Sequence, residues 1–334
     1  MTMYKVLVTG AGGPAGVAVI RSLLARPDVD VYAADMDGWA AGLYLVPADR
    51  RRLVEPGLSP VFVDGILDVC AADEIDVLFS TVDAELPALA ARRDELTARS
   101  GTALAAPSLE TLDVALDKLL LAERCAGALR VPTTRVVDAV GVAEPWSFPV
   151  IVKPRRGAGS RGVRLIADRV ELEAIGTDES LIIQEHLPGD EYSVDVIADA
   201  AGSIVAAVPR SRERVDSGVS IAGRTVKSAE LESTAAAAAQ AIGLVGVANV
   251  QLRYDVDGVP ALLEINPRFP GAMPLTIAAG VDMPSLALDL ALGLGIPDRV
   301  DFAEIANVRY LEDVFVDASE ILRSPHAAHG PEDE

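Results

Sequence analysis

Glu264, Asn266 and Arg268 occupy every second position of one short stretch, and Gln251 lies on the other side of an Asp257-Gly258 turn signal. A two-residue Asp-Gly loop of type I′ needs positive φ at both central positions. It predicts a register in which Val256 opposes Val259, Gln251 opposes Glu264 and Asn249 opposes Asn266. With side chains alternating along a strand, Glu264, Asn266 and Arg268 share one face, and Leu263 and Ile265 take the other. One carboxylate among amide oxygens suits Mg²⁺, with Mn²⁺ as an alternative. Such a cation takes one or two protein groups and completes its shell with nucleotide phosphates. Pro267 ends the strand and lets Arg268 reach over the site.

A phosphate-binding segment is legible upstream. Lys153 closes the apolar run 148–152 and is followed by Arg155, Arg156 and a loop containing Gly157, Gly159, Ser160, Arg161 and Gly162. A lysine inside an apolar strand needs an anionic partner, because burying it unpaired costs several kcal/mol (roughly). The glycines let backbone N–H groups approach phosphate oxygens, and Ser160 and the arginines add contacts. The spacing GxxxxGK[ST] is absent, so this is a glycine-rich hairpin lid and not a Walker loop. Next come Gln184, Glu185, His186 and Leu187, a Pro188-Gly189 connection, and Glu191. Backbone groups exposed at such a connection can read an adenine edge, and Glu191 is placed to accept ribose hydroxyls.

Arg210, Arg212 and Arg214 recur at period two, and Arg224 and Lys227 follow a stretch rich in Gly and Ser. Converging guanidinium groups suit a carboxylate substrate or a terminal phosphate; a solvated basic strand edge is the competing reading. Near the N-terminus, the loop 10–16 (Gly-Ala-Gly-Gly-Pro-Ala-Gly) follows a strand, opens a helix and precedes Asp35. It loosely satisfies a dinucleotide fingerprint, and NAD binding is held as a minor alternative. Arg50-Arg51-Arg52 reads as a solvated run.

These residues need elements to position them. Apolar runs at 6–9, 29–34, 77–80 and 103–106 alternate with helical stretches, the pattern of a parallel sheet with helices on its faces. After Pro107 a helix opens with Ser108 as N-cap and Thr111 where a capping box wants Glu or Gln; the same helix carries Asp117 and Lys118. Beyond Pro132 short strands dominate: 134–137, 148–153, 163–166, 180–185, 192–197 and 204–208, then the Asp-Gly hairpin. Short helices are expected within 168–176 and at 235–243. The expected organisation is an α/β domain over 1–106, a mixed α+β domain over 107–320 with a mobile part at about 134–187, and an acidic tail over 321–334, which makes a metal role for His326 and His329 improbable.

With 334 residues, half of them hydrophobic, two or three compact units are the prior. The net charge of −21 repels nucleic acid and anionic lipid, and no apolar run is long enough to span a membrane. Two cysteines without metal spacing fit a reducing cytoplasm.

The order of these motifs resembles the ATP-grasp superfamily, in particular carbamoyl-phosphate synthase large-subunit halves and small carboxylate–amine ligases. Asp117-Lys118, Val152-Lys153-Pro154 with its glycine loop, Gln184 through Asp195, and Glu264-Ile265-Asn266-Pro267-Arg268 carry the likeness, over about 107–295. Residues 1–105 look like the Rossmann-like domain that precedes this fold. The resemblance implies that Lys118 and Lys153 hold nucleotide phosphates under the 156–162 loop, and that Glu185 and Leu187 meet adenine through their backbone. It also implies ribose at Glu191, Mg²⁺ among Gln251, Glu264 and Asn266, and Arg268 on the transferring phosphoryl group. The chain has no room for a second such half or a glutaminase.

The expected function is an ATP-dependent, ADP-forming ligase that activates a small carboxylate as an acyl-phosphate for attack by an amine, or by a thiol. A bicarbonate-dependent carboxylase and a non-catalytic nucleotide-binding protein are the alternatives, and a homodimer is the assembly kept in view.

Overall fold

The computed structural model describes residues 2–157, 159, 161–216 and 219–323. The chain forms two compact units, and neither is contiguous: residues up to Leu109, Arg268–Pro297 and the stretch from Arg309 form one, Glu110–Pro267 and Asp298–Val308 the other. The sequence reading placed 107–320 in a single run. Packing instead returns the chain to the first unit at Arg268, where Phe269 lies 5.2 Å from Phe79, ring to ring.

The first unit is built on five parallel strands, β1 (Tyr4–Thr9), β2 (Val29–Asp35), β3 (Arg51–Leu53), β4 (Val77–Ser80) and β5 (Ala103–Leu104), in the order β3-β2-β1-β4-β5. This is the order of a Rossmann-like sheet. Val6, Leu7 and Val8 are all fully buried, which explains why β1 reads as a continuous apolar run rather than an alternation. β3 is the departure from expectation. The three arginines taken as solvated are held: Arg50 pairs with Asp30 at 2.7 Å, Arg51 lies over the Tyr44 ring at 4.9 Å, and Arg52 binds both oxygens of Asp73. Charged residues on an edge strand also discourage pairing with another chain.

The glycines after β1 are accounted for by close packing. A Cβ on Gly16 would stand 2.1 Å from the Gly10 carbonyl oxygen, and one on Gly12 would stand 2.8 Å from the Ala40 Cβ. The Gly12 N–H donates to Asp35 at 2.8 Å, so the acid that completes the loose fingerprint folds back onto the loop.

In the second unit, β6 (Thr134–Val137), β7 (Val150–Pro154), β8 (Arg164–Ile166) and β9 (Asp178–Glu185) form an antiparallel sheet in the order β6-β9-β7-β8. It has its own small core of Val137, Val150, Val152, Ile166, Leu172 and Ile183. A second antiparallel sheet joins β10 (Glu191–Ala198), β11 (Ile204–Ser211), β14 (Gly246–Tyr254) and β15 (Pro260–Asn266) in the order β11-β10-β14-β15. Between them in sequence, β12 (Arg214–Asp216) pairs with β13 (Val219–Arg224), which pairs in turn with β16 (Ala306–Val308), a strand the sequence reading did not anticipate.

One face of the β10–β15 sheet packs against the helix Ala229–Ala241. Val194, Val196, Val250, Leu252, Leu262 and Ile265 meet Leu231, Ala235, Ala238 and Ala239 there. The alternate residues of the same strands, Ser193, Asp195, Asn249 and Gln251, point the other way because strand side chains alternate.

The helix expected to run from Ser108 through Lys118 is broken. One helix spans Leu109–Ala115, and Asp117 then takes extended backbone and caps a separate helix, Lys118–Cys125, accepting from the N–H groups of Leu119 and Leu120. Lys118 is thereby placed at a helix start rather than on a solvated helix face. Among the described residues no helix is long and apolar enough to cross a membrane.

Candidate active site

The hairpin turn differs from the one expected. The Gly258 N–H donates to the Asp255 carbonyl at 3.2 Å, the Asp255 N–H to Val259 at 2.9 Å, and only Gly258 of the central pair has positive φ, +75°. This is a three-residue loop closed by a left-handed glycine, so Tyr254 opposes Pro260 and the pairing starts one residue out of step. A bulge corrects it. Leu252 pairs with Leu262, but Gln251 pairs with Glu264 and Asn249 with Asn266, because Leu263 is the extra residue. The expected pairing is present for a different reason. The bulge also turns Leu263 to the side opposite the one expected: it lines the cleft with Glu264 while Leu262 and Ile265 stay in the core.

That cleft lies within the second unit. Its walls include Lys118, Lys153, Gly157, Gln184, Glu185, His186, Leu187, Glu191, Gln251 and Glu264, all named from the sequence, with Ile151, Val163 and Leu263 as apolar surface. Lys153 is 8 % exposed, and burial pushes its ammonium down to about 8, a shift that the neighbouring Lys118 reinforces and Glu264 and Glu191 oppose. The Lys118 Nζ donates to the Gly157 carbonyl at 2.7 Å and stands 3.9 Å from Glu264. Asp117, buried beneath this helix start, binds Arg155 at 2.8 Å and Arg156 at 3.2 Å. Burial pushes its carboxyl up, but those hydrogen bonds and charges win and hold it below the usual range.

The connection after β9 uses its side chains for support. Glu185 binds Arg130 at 2.5 Å and the Thr133 N–H at 3.0 Å, and Gln184 donates to the Thr134 hydroxyl at 3.0 Å. Arg130 also reaches Asp255 at 3.0 Å, which ties this connection to the hairpin turn. The Glu185 N–H donates to the Thr133 carbonyl at 2.9 Å. Glu191 has Arg212 at 3.3 Å and Arg253 at 4.0 Å.

Other expectations disperse. Gly159 and Gly162 have positive φ, +71° and +74°, but do not line the cleft; Ser160 lies outside the described residues. The basic cluster does not converge: β11 ends at Ser211, Arg210 is buried against Asp195, Arg212 turns to Glu191, Arg224 stands 3.7 Å from Glu213, and the Lys227 ammonium sits 3.8 Å over the Phe302 ring. Arg268 belongs to the first unit, where its guanidinium stands 2.9 Å from Asp83 without being aligned as a hydrogen bond. The residues missed were Arg130 and Arg253; Asn249 was placed opposite Asn266 but given no role. Period two from Gln251 already pointed to both Arg253 and Asn249.

The donors on β14 and β15 fit a hard cation. Among the described residues there is no cluster of three His, Cys, Asp or Glu side chains, which disfavours a thiolate or imidazole metal. Glu264 supplies one carboxylate, and the Asn266 amide donates to it at 3.3 Å, so the Asn266 carbonyl oxygen is turned away from it. One carboxylate plus amide oxygens leaves most of an octahedral Mg²⁺ shell to phosphates and water.

Two antiparallel sheets flank a cleft lined by lysines and by Gln251 and Glu264, and two parts of the chain match known families. Residues 177–314 match the family described as ATP-grasp in the biosynthetic pathway with Ter operon, and residues 6–104 the PylC-like N-terminal domain. The carbamoyl phosphate synthase large chain of Clostridium acetobutylicum is 26% identical over 258 residues, 70% of this chain and 24% of that one. The chain thus spans about a quarter of that relative's length. N5-carboxyaminoimidazole synthetase from Staphylococcus aureus, complexed with ADP, superposes with a TM-score of 0.72 at 17% identity, covering 90% of this chain and 81% of the other. Biotin carboxylase from Campylobacter jejuni gives 0.71 at 18%, covering 88% and 72%. At such identities the likeness establishes the fold.

Proposed function

We propose that the chain is an ATP-dependent, ADP-forming ligase that activates a carboxylate as an acyl-phosphate and couples it to an amine. The observation that carries this reading is the buried Lys153 beside Lys118 and Glu264. Two cations stand where an anion would relieve the burial of the first, and a carboxylate stands where a divalent cation would be held. Lys118 and Lys153 hold the phosphates, the 156–162 loop covers them, and the Glu185 carbonyl with the Leu187 N–H reads the adenine edge. Ribose meets Glu191, and Arg268, two residues past Asn266, steadies the transferring phosphoryl group. Bound Mg²⁺, held by Gln251, Glu264 and Asn266, supplies charge neutralisation at the phosphates. No protein nucleophile is required, since phosphoryl transfer asks mainly for positioning and electrostatics.

The sheet β6–β9, with its own core, is assigned the role of the moving lid. The two buried free cysteines suit a reducing compartment, and we assign the chain to the cytoplasm as a homodimer acting on small molecules. The test is a screen of small acids and amines for stimulated release of ADP and phosphate. Dependence on both supports the ligase; dependence on bicarbonate without another acid moves the assignment to a carboxylase. Cleavage of ATP to AMP and pyrophosphate, or binding without turnover across the whole screen, overturns it.

A further inference from the structure

The polar face of the β10–β15 sheet holds a second row of groups next to the Gln251–Glu264 pair. Register sets Asp195 opposite Asn249 and Asn249 opposite Asn266. Asp195 is fully buried and Arg210 is 2 % exposed. The Arg210 guanidinium grips both Asp195 oxygens, at 2.9 and 2.7 Å, and the Asn249 side-chain nitrogen donates to one of them at 2.7 Å.

We propose that Asn249 is a further oxygen donor of the metal face and that Asp195 is the positioning residue that turns it there. The inference rests on the Mg²⁺–nucleotide reading of this cleft. A carboxylate gripped by a bidentate guanidinium offers only acceptor oxygens to its other neighbours. The Asn249 amide must therefore direct its NH₂ at Asp195, and its carbonyl oxygen faces away. Among the described residues no donor meets that oxygen. Directly opposed residues of an antiparallel pair stand about 4.5–5.5 Å apart at Cβ, so this oxygen emerges beside Asn266, whose own NH₂ is turned to Glu264. Among the described residues only Asp83 has a buried side-chain oxygen without a partner, so the unpartnered Asn249 oxygen is open to solvent. An oxygen open on this face can be taken by a cation, or by a water held by one.

The experiment is calorimetric binding of a non-hydrolysable ATP analogue at a series of Mn²⁺ concentrations. Wild-type binding that ignores Mn²⁺ would sink the metal–nucleotide reading itself. Given a Mn²⁺-dependent wild type, Asn249→Leu should raise the Mn²⁺ needed for half-maximal binding about tenfold. Its melting should stay near that of the wild type, because Asp195 keeps Arg210. An unchanged Mn²⁺ dependence in that variant overturns the proposal; Asn249→Ala carries the same expectation if the leucine variant does not fold. The pair Asp195→Asn with Arg210→Met removes both charges together and frees the amide to flip, so it should shift the Mn²⁺ dependence in the same direction. No shift there, with a shift in Asn249→Leu, refutes the role given to Asp195.

Discussion

The loop 10–16 after β1 and the loop 156–162 after β7 are both rich in glycine, yet their surroundings differ. Around Gly12 and Gly16 the chain has closed in, so a Cβ would strike a neighbouring side chain or a backbone oxygen. Beside Gly159 the nearest atom to such a Cβ is 4.0 Å away, and what that glycine supplies is a φ of +71°. The first loop uses small size to pack; the second uses conformational freedom beside a cleft. Glycine content alone does not tell a ligand-binding loop from a packed corner; the volume around each glycine does.

The largest expected effect that tests this contrast lies next to the second loop. Lys153→Met should lower ATP turnover by at least about a hundredfold and at the same time raise stability at neutral pH by on the order of 2–3 kcal/mol. The lysine titrates near 8 in the folded chain, against an ordinary 10.5, because of its burial. Between those values the folded state binds fewer protons than the unfolded one. The destabilisation is thus complete below about pH 8 and fades as pH climbs toward 10.5. Chemical denaturation of both proteins across that range should show the difference shrinking; a difference that grows with pH would refute the burial argument.

Gly16→Ala should destabilise by about 1–3 kcal/mol or more while the folded fraction binds nucleotide as the wild type does. Gly159→Ala should do the reverse, costing about 1 kcal/mol for its left-handed backbone and weakening nucleotide binding severalfold. Thermal melts and nucleotide titrations read both. If Gly16→Ala selectively lost nucleotide affinity, the distinction between the loops would fall.

The smallest effect lies at Glu85, buried just before the helix Leu86–Ala91 and accepting from Thr9 and Ser80. Burial raises its carboxyl above the usual range, and those hydroxyls only partly counter it. The folded state therefore holds the proton more tightly than the unfolded chain, and stability is lost as pH rises through the folded value. Glu85→Gln should flatten that acidic limb and raise the neutral-pH midpoint slightly; a steeper limb would contradict it.

Much of this was legible in the sequence because the relevant forces are local. Apolar runs mark strands buried on both faces, Asp-Gly marks a tight turn, and a lysine ending an apolar strand marks a buried ammonium on the cleft wall. The hairpin shows the limit of that reasoning. The turn is one residue longer than expected and Leu263 bulges by one, so the pairing of Gln251 with Glu264 survives two compensating departures. The basic cluster fails for a related reason. Period two put Arg210 and Arg212 on one face, but a guanidinium goes to the nearest carboxylate the fold brings to it, and Asp195 and Glu191 come from a neighbouring strand.

By itself, then, the amino-acid sequence determined the parallel sheet, the glycine-flanked Lys153, and the pairing of Gln251 with Glu264 and of Asn249 with Asn266, since periodicity and residue chemistry act within a few positions. Tertiary structure alone decided which cations are already neutralised, that Arg268 returns to the first unit to meet Asp83, and that Asn249 turns its amide nitrogen to Asp195. Those outcomes depend on partners distant in sequence, whose approach only packing and register can set.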